Sequence, residues 1–268
     1  MFDCVIIGGG PAGLTAATYL GRFLRRVVAI DSGESRLLRI PVSQNVPGFP
    51  DGVSGPTLRS LMQSQAAKFG AELVEGQATD VRAVQGTFEI TSTLGAVQAR
   101  TVFLASGVSV TAPPIEGIDG AVARGQVRYC PICDGFEAQG RNVAVLGGRH
   151  ASFEEARFLR TYTSHVTFVP AAAKFGLGHV EKALALAEGI AVEPRSPQGL
   201  EIAGEGIRMT FAEGDSKTFE ILYPCLGAHP RSELIVGLSV DFGGDGAVLT
   251  DRHYQTRVPG LYAGGMMY

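Results

Sequence analysis

The sequence predicts an α/β fold, because short apolar runs alternate with glycine-rich turns and helical patterns. The run Phe2 to Ile7 leads through Gly8-Gly9-Gly10-Pro11-Ala12-Gly13 into a helical pattern that extends to about Phe23. A second apolar run, Asn142 to Leu146, leads through Gly147-Gly148 into another helical pattern. A strand, a tight turn and a helix, repeated in this way, predict two Rossmann-like units.

Size and composition fit a soluble globular protein. The 268 residues allow one large or two medium domains, and 45% are hydrophobic while 18% are charged. Glycine supplies 36 residues, about twice the usual ~7% share. This excess favours tight turns in which the backbone approaches a ligand.

The charge balance excludes some partners. A net charge of −3 gives no basic field to attract a polyanion, so we expect no nucleic acid partner. No apolar run reaches the ~18 to 20 residues of a spanning helix, and Asp3 opens the chain without the basic flank of a signal peptide. We therefore expect a cytoplasmic protein that does not contact membranes.

The first glycine turn carries a dinucleotide-binding pattern. Its glycines match G-x-G-x-x-G, which lets the backbone approach a pyrophosphate at a helix N-terminus. The next strand, Val27 to Ile30, ends in Asp31, where an acid can accept hydrogen bonds from a ribose. The alternative is an ordinary glycine turn with a surface aspartate. The candidate binding residues are Gly8, Gly10, Pro11, Ala12, Gly13 and Asp31.

Loops and alternating elements fill the rest of the first half. Residues 32 to 56 are rich in Gly, Pro and Ser and predict loops, before a helical face runs from Leu58 to Phe69. Two or three strands are expected between Ala71 and Thr101. The run Val102 to Gly107 predicts a buried strand that enters a small-residue turn, and Pro113-Pro114 suggests a boundary.

The second half continues the same alternation. A strand is expected at His165 to Val169 and a helix over residues 177 to 188. Short strands are expected near 190 to 193, 200 to 202, 207 to 211 and 217 to 223. A last strand and glycine turn lie within residues 258 to 265.

The segment Cys130-Pro131-Ile132-Cys133-Asp134 is the centre of the predicted chemistry. Two thiols separated by two residues can close a small-loop disulfide, and the adjacent acid can move the proton that exchange requires. A structural pair and half of a zinc site are the alternatives. Zinc requires four ligands at recognisable spacing, whereas Cys4 and Cys225 stand alone. A close pair in a reducing compartment favours redox chemistry, and no metal site is expected.

Together these motifs resemble the low-molecular-weight thioredoxin reductase family over almost the whole chain. The segments that carry the resemblance are the first glycine turn, Asn45-x-Pro47-Gly48-Phe49-Pro50, Ala105-Ser106-Gly107, Cys130 to Gly135 and Val258 to Ala263. The resemblance implies a homodimeric flavoprotein whose FAD domain, residues 1 to 113 and 229 to 268, is interrupted by a pyridine-nucleotide domain. That inserted domain, residues 120 to 224, would carry the disulfide.

The resemblance also implies a role for each matched residue. Cys133 would face the flavin, Cys130 would exchange with the external disulfide, and Asp134 would donate and accept the proton. The first glycine turn and Asp31 would hold the adenosine and pyrophosphate of FAD, and Asn45 would lie near the flavin. Further FAD-binding candidates are Ala105, Ser106, Gly107 and Gly265. The partner would be a thioredoxin-like protein or a small-molecule disulfide or dithiol.

Two departures from the family pattern concern the cofactors. Arg149 replaces a glycine of the second turn, and no arginine pair follows Val169, so NADPH use is left open. The NAD(P) candidates are Gly147, Gly148, Arg149 and Lys174. Met266 stands where the family has an aspartate, and the sequence stops at Tyr268, before the usual final helix. The chain is then a short form with altered FAD binding or a truncated product.

These observations leave three functional hypotheses. The leading one is a flavin-dependent thiol-disulfide oxidoreductase that acts through Cys130 and Cys133. A dithiol oxidase, in which reduced flavin passes electrons to oxygen, would explain a poor nicotinamide site. A scaffold without FAD would use the fold for interactions alone.

Overall fold

The computed structural model describes residues 1–148 and 150–265. The chain divides into two compact units. Unit 1 contains Met1–Leu38, Gly55–Val110 and Ala228–Tyr268, and unit 2 contains Arg39–Ser54 and Thr111–Gly227.

The structure confirms the predicted alternation of strands and helices. The helices are α1 (Pro11–Arg22), α2 (Gly55–Lys68), α3 (Ile118–Ala123), α4 (Pro131–Asp134), α5 (His150–Leu159) and α6 (His179–Glu188). The strands in the first half are β1 (Phe2–Ile7), β2 (Val27–Asp31), β3 (Glu72–Glu75), β4 (Ala78–Val84), β5 (Thr87–Ser92), β6 (Gly95–Leu104) and β7 (Val108–Val110). Those in the second half are β8 (Val143–Gly147), β9 (Val166–Pro170), β10 (Ala191–Val192), β11 (Gly199–Ala203), β12 (Gly206–Thr210), β13 (Ser216–Phe219), β14 (Ile221–Cys225), β15 (Ala228–Pro230) and β16 (Leu261–Ala263).

Unit 1 is built on a sheet with the strand order β3-β2-β1-β6-β5-β4. Strands β3, β2, β1 and β6 run parallel, β16 pairs parallel with β6, and β4 and β5 form an antiparallel extension. The carboxyl ends of β1, β2, β6 and β16 therefore meet at one edge of the sheet. In open α/β sheets this edge is where ligands bind.

Both faces of the two strands β1 and β2 are buried over most of their length. This explains why β1 and β2 are continuous apolar runs without polar alternation. On one face Cys4, Ile6, Val27 and Ala29 pack with Ala17 of α1 and Ala66 of α2. The other face includes Val5, Ile7, Val28, Ile30, Val102 and Leu104.

Unit 2 contains a second parallel sheet in the order β10-β9-β8-β14, and its strand–turn–helix β8–α5 repeats the β1–α1 pattern of unit 1. Strands β11, β12 and β13 form a separate antiparallel sheet. A single parallel bridge joins Val127 to Leu222 of β14, beside the segment that leads to the cysteine pair. Both unit sheets confirm the predicted α/β fold.

One predicted strand boundary is wrong. The expected strand at 217 to 223 is two strands, because the chain leaves one sheet after Phe219 and enters the other at Ile221. Glu220 lies between these two strands, and its carboxylate accepts a hydrogen bond from the Asn142 N–H at 2.8 Å. The run from 102 to 107 is confirmed as a buried strand that enters a turn, because β6 ends at Leu104 and residues 105–107 lie outside any strand.

Two further features escaped the sequence analysis. Strands β7 and β15 pair antiparallel over three residues, which is too short for a period-2 pattern to predict. Residues 39–54, which the sequence analysis placed in the first domain, group with unit 2. Within the described residues, no helix combines the length and the apolar character needed to cross a membrane.

Candidate functional site

The cysteine pair forms a disulfide at the start of a short helix. Cys130 and Cys133 are joined, with their Cα atoms 5.2 Å apart. Pro131 begins α4 because its fixed φ and missing N–H suit a first helical position. The N–H groups of Cys133 and Asp134 donate to the Cys130 carbonyl at 2.9 and 3.1 Å, which closes the turn. The predicted small-loop disulfide is confirmed.

The surface around the disulfide is apolar and open. Ile132, between the two cysteines, is 81% exposed, and Phe136 after the helix is 67% exposed. Cys133 is exposed, and Cys130 is half-buried. A reagent or partner can therefore reach this end of unit 2.

Asp134 is held by two side chains that the sequence analysis did not identify. The Tyr223 hydroxyl donates to Asp134 Oδ1 at 2.9 Å. On the other carboxylate oxygen, Arg128 Nη1 lies 3.2 Å from Oδ2. Tyr223 is fully buried in β14, and such a tyrosine nearly always finds a hydrogen-bond partner. The sequence feature that could have pointed to this contact is a tyrosine within the apolar run of residues 221–225, because its hydroxyl would need a partner when buried.

The environment of Asp134 shifts its proton affinity. Burial raises the pKa of Asp134 above its ordinary value, the Arg128 charge and the Tyr223 hydrogen bond oppose that rise, and the Glu137 charge adds to it. Burial has the largest effect. The pKa of Tyr223 is raised by burial and by the Asp134 charge, so the hydroxyl stays protonated as a donor.

Two glycines of the first turn, Gly8 and Gly13, are required by close backbone contacts. Gly8 has φ +118°, and a Cβ there would lie 2.3 Å from the Ala105 carbonyl oxygen. A Cβ at Gly13 would lie 1.9 Å from the Gly8 carbonyl oxygen. At Gly10, by contrast, a Cβ would meet only Ser35 Oγ, at 3.6 Å. The turn is thus closely packed at Gly8 and Gly13, whereas the space beside Gly10, just before α1 begins, is open. Open space at a helix N-terminus fits a bound pyrophosphate.

Asp31 lies at the end of β2 against this turn, as predicted. A Cβ at Gly9 would be 1.9 Å from Asp31 Oδ2, so only glycine admits the carboxylate there. Oδ1 accepts the Gly33 N–H at 3.0 Å, and Oδ2 pairs with Arg59 Nη2 of α2 at 2.5 Å. Each oxygen keeps a lone pair for a further donor such as a ribose hydroxyl.

The other predicted FAD candidates lie in different places. Ala105, Ser106 and Gly107 follow β6 at the same sheet edge, and the Ser106 hydroxyl donates to the Arg231 carbonyl. Gly265 follows β16, and a Cβ there would lie 2.9 Å from Ala12 Cβ. Asn45 lies in the 39–54 segment of unit 2, where its Oδ1 accepts the Ser43 hydroxyl at 2.7 Å. Met266 lies outside the described residues.

The glycines of the second turn are also packed against neighbouring side chains. A Cβ at Gly147 would lie 2.3 Å from Ser152, and one at Gly148 would lie 2.3 Å from Phe175 Cβ. Lys174 Nζ stands 5.2 Å from the centroid of the Phe175 ring. Arg149 lies outside the described residues.

The free thiol of Cys225 donates a hydrogen bond to Glu155. Burial and the Glu155 charge raise the pKa of this thiol, which makes it a poor nucleophile.

No group of three or more His, Cys, Asp and Glu side chains within residues 1–148 and 150–265 is arranged to hold a metal ion. Cys4 and Cys225 are separate free thiols. Cys130 and Cys133 are therefore bonded to each other, and neither is bonded to Cys4 or Cys225.

Comparison with known proteins identifies related sequences. The family described as pyridine nucleotide-disulphide oxidoreductase matches residues 2–267. The chain is 33% identical to the bifunctional thioredoxin reductase/thioredoxin of Mycobacterium leprae, covering 98% of this chain and 59% of that protein. It is 32% identical to the thioredoxin reductase of Streptomyces coelicolor, covering 98% of this chain and 85% of that protein.

Solved structures are similar over the full chain. The crystal structure of HlmI superposes with a TM-score of 0.90 at 27% identity and covers 99% of this chain and 84% of that one. The thioredoxin reductase of Streptococcus pyogenes also has a TM-score of 0.90, at 25% identity, over 100% of this chain and 90% of that one.

Proposed function

Because the chain belongs to the pyridine nucleotide-disulphide oxidoreductase family, we propose that it is a flavin-dependent thiol-disulfide oxidoreductase of the thioredoxin reductase type. It passes electrons between FAD and an external disulfide or dithiol through Cys130 and Cys133. The observation that carries this proposal is the Cys130–Cys133 disulfide, followed directly by a hydrogen-bonded Asp134. The names of the relatives, thioredoxin reductases of several bacteria, support it.

The residues of unit 1 fit FAD. Gly8, Gly10 and Gly13 would hold the pyrophosphate at the start of α1, and Asp31 would accept hydrogen bonds from the adenosine ribose. Further contacts would come from Pro11, Ala12, Ala105, Ser106, Gly107 and Gly265. Asn45 is proposed to lie near the flavin ring. When bound, the flavin supplies the two-electron carrier between the nucleotide and the disulfide.

The chemistry of unit 2 is thiol-disulfide exchange. The reduced Cys130 thiolate attacks one sulfur of the external disulfide, forms a mixed disulfide and releases the first thiolate of the partner. Cys133 then attacks the Cys130 sulfur, releases the second thiolate and closes the protein disulfide. Two electrons and two protons have moved from the protein to the partner. Asp134 carries the proton between the cysteine thiol and the leaving sulfur.

The pyridine nucleotide named in the family description would bind unit 2. Gly147 ends β8 and Gly148 follows it before α5, and Lys174 is the first charged side chain after β9 in the described part of the chain. Arg149 remains a candidate phosphate contact. We propose a nicotinamide nucleotide as the electron donor, with the preference for NADPH left to measurement.

The remaining proposals concern organisation and partners. Residues 1 to 113 and 229 to 268 would form the FAD domain and residues 120 to 224 the nucleotide domain. A cytoplasmic homodimer and a partner that is a thioredoxin-like protein or a small disulfide fit the family. A disulfide exposed beside Ile132 and Phe136 is accessible to either kind of partner.

An anaerobic titration tests the proposed function. The purified chain is incubated with FAD, freed of excess and titrated with NADPH or NADH while the visible flavin band is followed. Bleaching by either nucleotide, reversed by an added disulfide, is the expected result. A chain that retains no flavin would leave only a scaffold. Bleaching by a dithiol but by neither nucleotide, followed by oxygen uptake when air is admitted, would identify a dithiol oxidase.

A further inference from the structure

We propose that Arg128 and Tyr223 are positioning residues that hold the Asp134 carboxylate in one orientation and set how readily it exchanges a proton with the thiols of the neighbouring Cys130–Cys133 pair in its reduced form. This inference rests on the proposed function, because it assigns two further residues to the same exchange reaction. Neither residue belongs to a motif that the sequence analysis singled out. Both act through Asp134.

The sheet explains why both side chains reach the same carboxylate. Val127 and Leu222 are paired by a parallel bridge, and the Arg128 N–H donates to the Leu222 carbonyl at 3.0 Å. Val127 and Leu222 belong to one hydrophobic core, whereas Tyr223 belongs to the core on the opposite face of β14. Since successive side chains alternate between faces, Arg128 and Tyr223 share the face on which Asp134 lies.

Each donor is itself anchored. Tyr223 is fully buried, and its hydroxyl lies 2.9 Å from Asp134 Oδ1 and 3.2 Å from the Asp134 carbonyl oxygen. Arg128 Nε donates to the Gly125 carbonyl at 3.1 Å, which fixes the guanidinium while Nη1 faces Oδ2. The side chains of Arg128 and Asp134 are only 20% and 26% exposed, so water competes weakly for this pair.

The charges around Asp134 act in opposite directions. Burial and the Glu137 charge raise the pKa of Asp134, whereas Arg128 and Tyr223 lower it. Removing either Arg128 or Tyr223 leaves the burial effect less opposed, so the pKa rises further. The carboxyl group then stays protonated to higher pH, so it can accept a proton from a cysteine thiol only at higher pH. It has also lost one of the two side chains that fix its orientation, so proton transfer becomes slower.

The rate of the exchange reaction depends on the hydrogen bonds that Arg128 and Tyr223 make to Asp134, to a degree set by the basicity of the leaving thiolate. When the leaving thiolate is a strong base, it needs a proton from Asp134, and Asp134 regains that proton from a cysteine thiol, so the acid ends as it began. A weakly basic leaving thiolate departs without that proton. A disturbed network should therefore slow the first kind of disulfide more than the second, whereas a general structural defect should slow both alike.

The test compares two disulfides across a pH series. The FAD-incubated full chain is reduced with dithiothreitol, desalted anaerobically and mixed in single turnover with bis(2-hydroxyethyl) disulfide, whose leaving thiolate is basic. The second substrate is 5,5′-dithiobis(2-nitrobenzoate), whose leaving thiolate is weakly basic. The variants are Tyr223→Phe, Arg128→Gln and Arg128→Lys. Arg208→Gln, which loses an exposed ion pair with Glu201, is the matched control.

We expect Tyr223→Phe and Arg128→Gln to lose roughly tenfold with the hydroxyethyl disulfide near pH 7, and their pH profiles to move to higher pH. The nitrobenzoate rate should change by less than about twofold. Arg128→Lys should recover most of the loss, and Arg208→Gln should match the wild type. If Tyr223→Phe does not fold, Arg128→Gln and Arg128→Lys decide alone.

Profiles that superimpose on the wild type, or equal losses with both disulfides, would overturn the inference. These outcomes are distinct from failure of the proposed function. If the wild-type chain reduces neither disulfide, or if Cys133→Ser releases both thiols of each disulfide as fast as the wild type, the exchange chemistry itself is wrong. In that case Arg128 and Tyr223 would have no reaction to support.

Discussion

Arg59 of α2 pairs with Asp31 at the end of β2, and both side chains are largely buried, at 18% and 12% exposure. Arg59 Nη2 lies 2.5 Å from Asp31 Oδ2, and Arg59 Nε is buried without a partner in the structure. The acid that a ribose would contact is therefore fixed by a helix that lies outside the glycine motif. This arrangement would link the proposed binding of FAD to the packing of α2.

Replacing Arg59 by Met should weaken FAD binding and unit 1 together. The change leaves the Asp31 carboxylate buried without its counter-charge, which costs about 3 kcal/mol when one partner of a buried pair is removed. Urea unfolding followed by circular dichroism measures the stability, and quenching of flavin fluorescence measures the affinity. Arg82→Met, which breaks only the exposed pair with Asp80, should change neither value. An unchanged FAD affinity in Arg59→Met would separate Asp31 from the flavin site.

Replacing Gly13 by Ala should disrupt the first turn. The new Cβ would lie 1.9 Å from the Gly8 carbonyl oxygen, and backbone at that distance must move. We expect a loss of more than about 2 kcal/mol in unfolding free energy and the loss of bound flavin. Gly237→Ala is the control in the same unit, because nothing lies within 4 Å of the added carbon. Equal stability of the two variants in urea would contradict the close approach of α1 to the turn.

Replacing Asp134 by Asn should remove proton transfer and stabilise the fold at higher pH. Exchange with a basic leaving thiolate should fall by roughly 10² to 10⁴-fold. Burial raises the folded-state pKa of Asp134, so its stabilising effect is present below the unfolded pKa and is lost as pH rises through the folded value. The melting temperature of the wild type should therefore fall relative to Asp134→Asn between acidic and mildly alkaline pH. A constant difference across that range would contradict the raised pKa.

Glu193 should make unit 2 sensitive to acid. Its side chain is buried and pairs with Arg195 at 2.8 Å and Lys217 at 2.6 Å, and hydrogen bonds from Arg195 lead the effects that lower its pKa to about 2. Because the folded pKa is depressed, the stabilisation is present above pH 4.5 and is lost as pH falls toward about 2. Glu193→Gln should cost about 2 kcal/mol near neutral pH, reduced by the exposure of both cations. Acid titration of the variant should show a smaller fall in stability than the wild type.

The parts of the fold that the sequence predicts well are those set by local geometry. The turn from Gly8 to Gly13 and the pair Cys130–Cys133 are each encoded within a few residues, because glycine positions and thiol spacing determine their backbone. The buried strands β1 and β8 follow from continuous apolar runs. Each of these predictions needs no knowledge of distant parts of the chain.

Contacts between distant segments were not predictable in the same way. Tyr223 lies 89 positions after Asp134, and Arg59 lies 28 positions after Asp31, so no spacing rule brings either pair together. The break at Glu220 depends on which sheet each neighbouring strand joins. Likewise, the grouping of residues 39–54 with unit 2 depends on packing that a loop composition does not encode.

The most direct test of the account is whether a flavin exchanges electrons with the Cys130–Cys133 pair. The FAD-incubated wild type and Cys133→Ser are mixed anaerobically with dithiothreitol in a stopped-flow spectrometer, and the visible flavin band is recorded. The account predicts rapid bleaching in the wild type and none in Cys133→Ser, which still binds flavin. Bound flavin that bleaches equally in both proteins, or in neither, would contradict electron transfer through this disulfide.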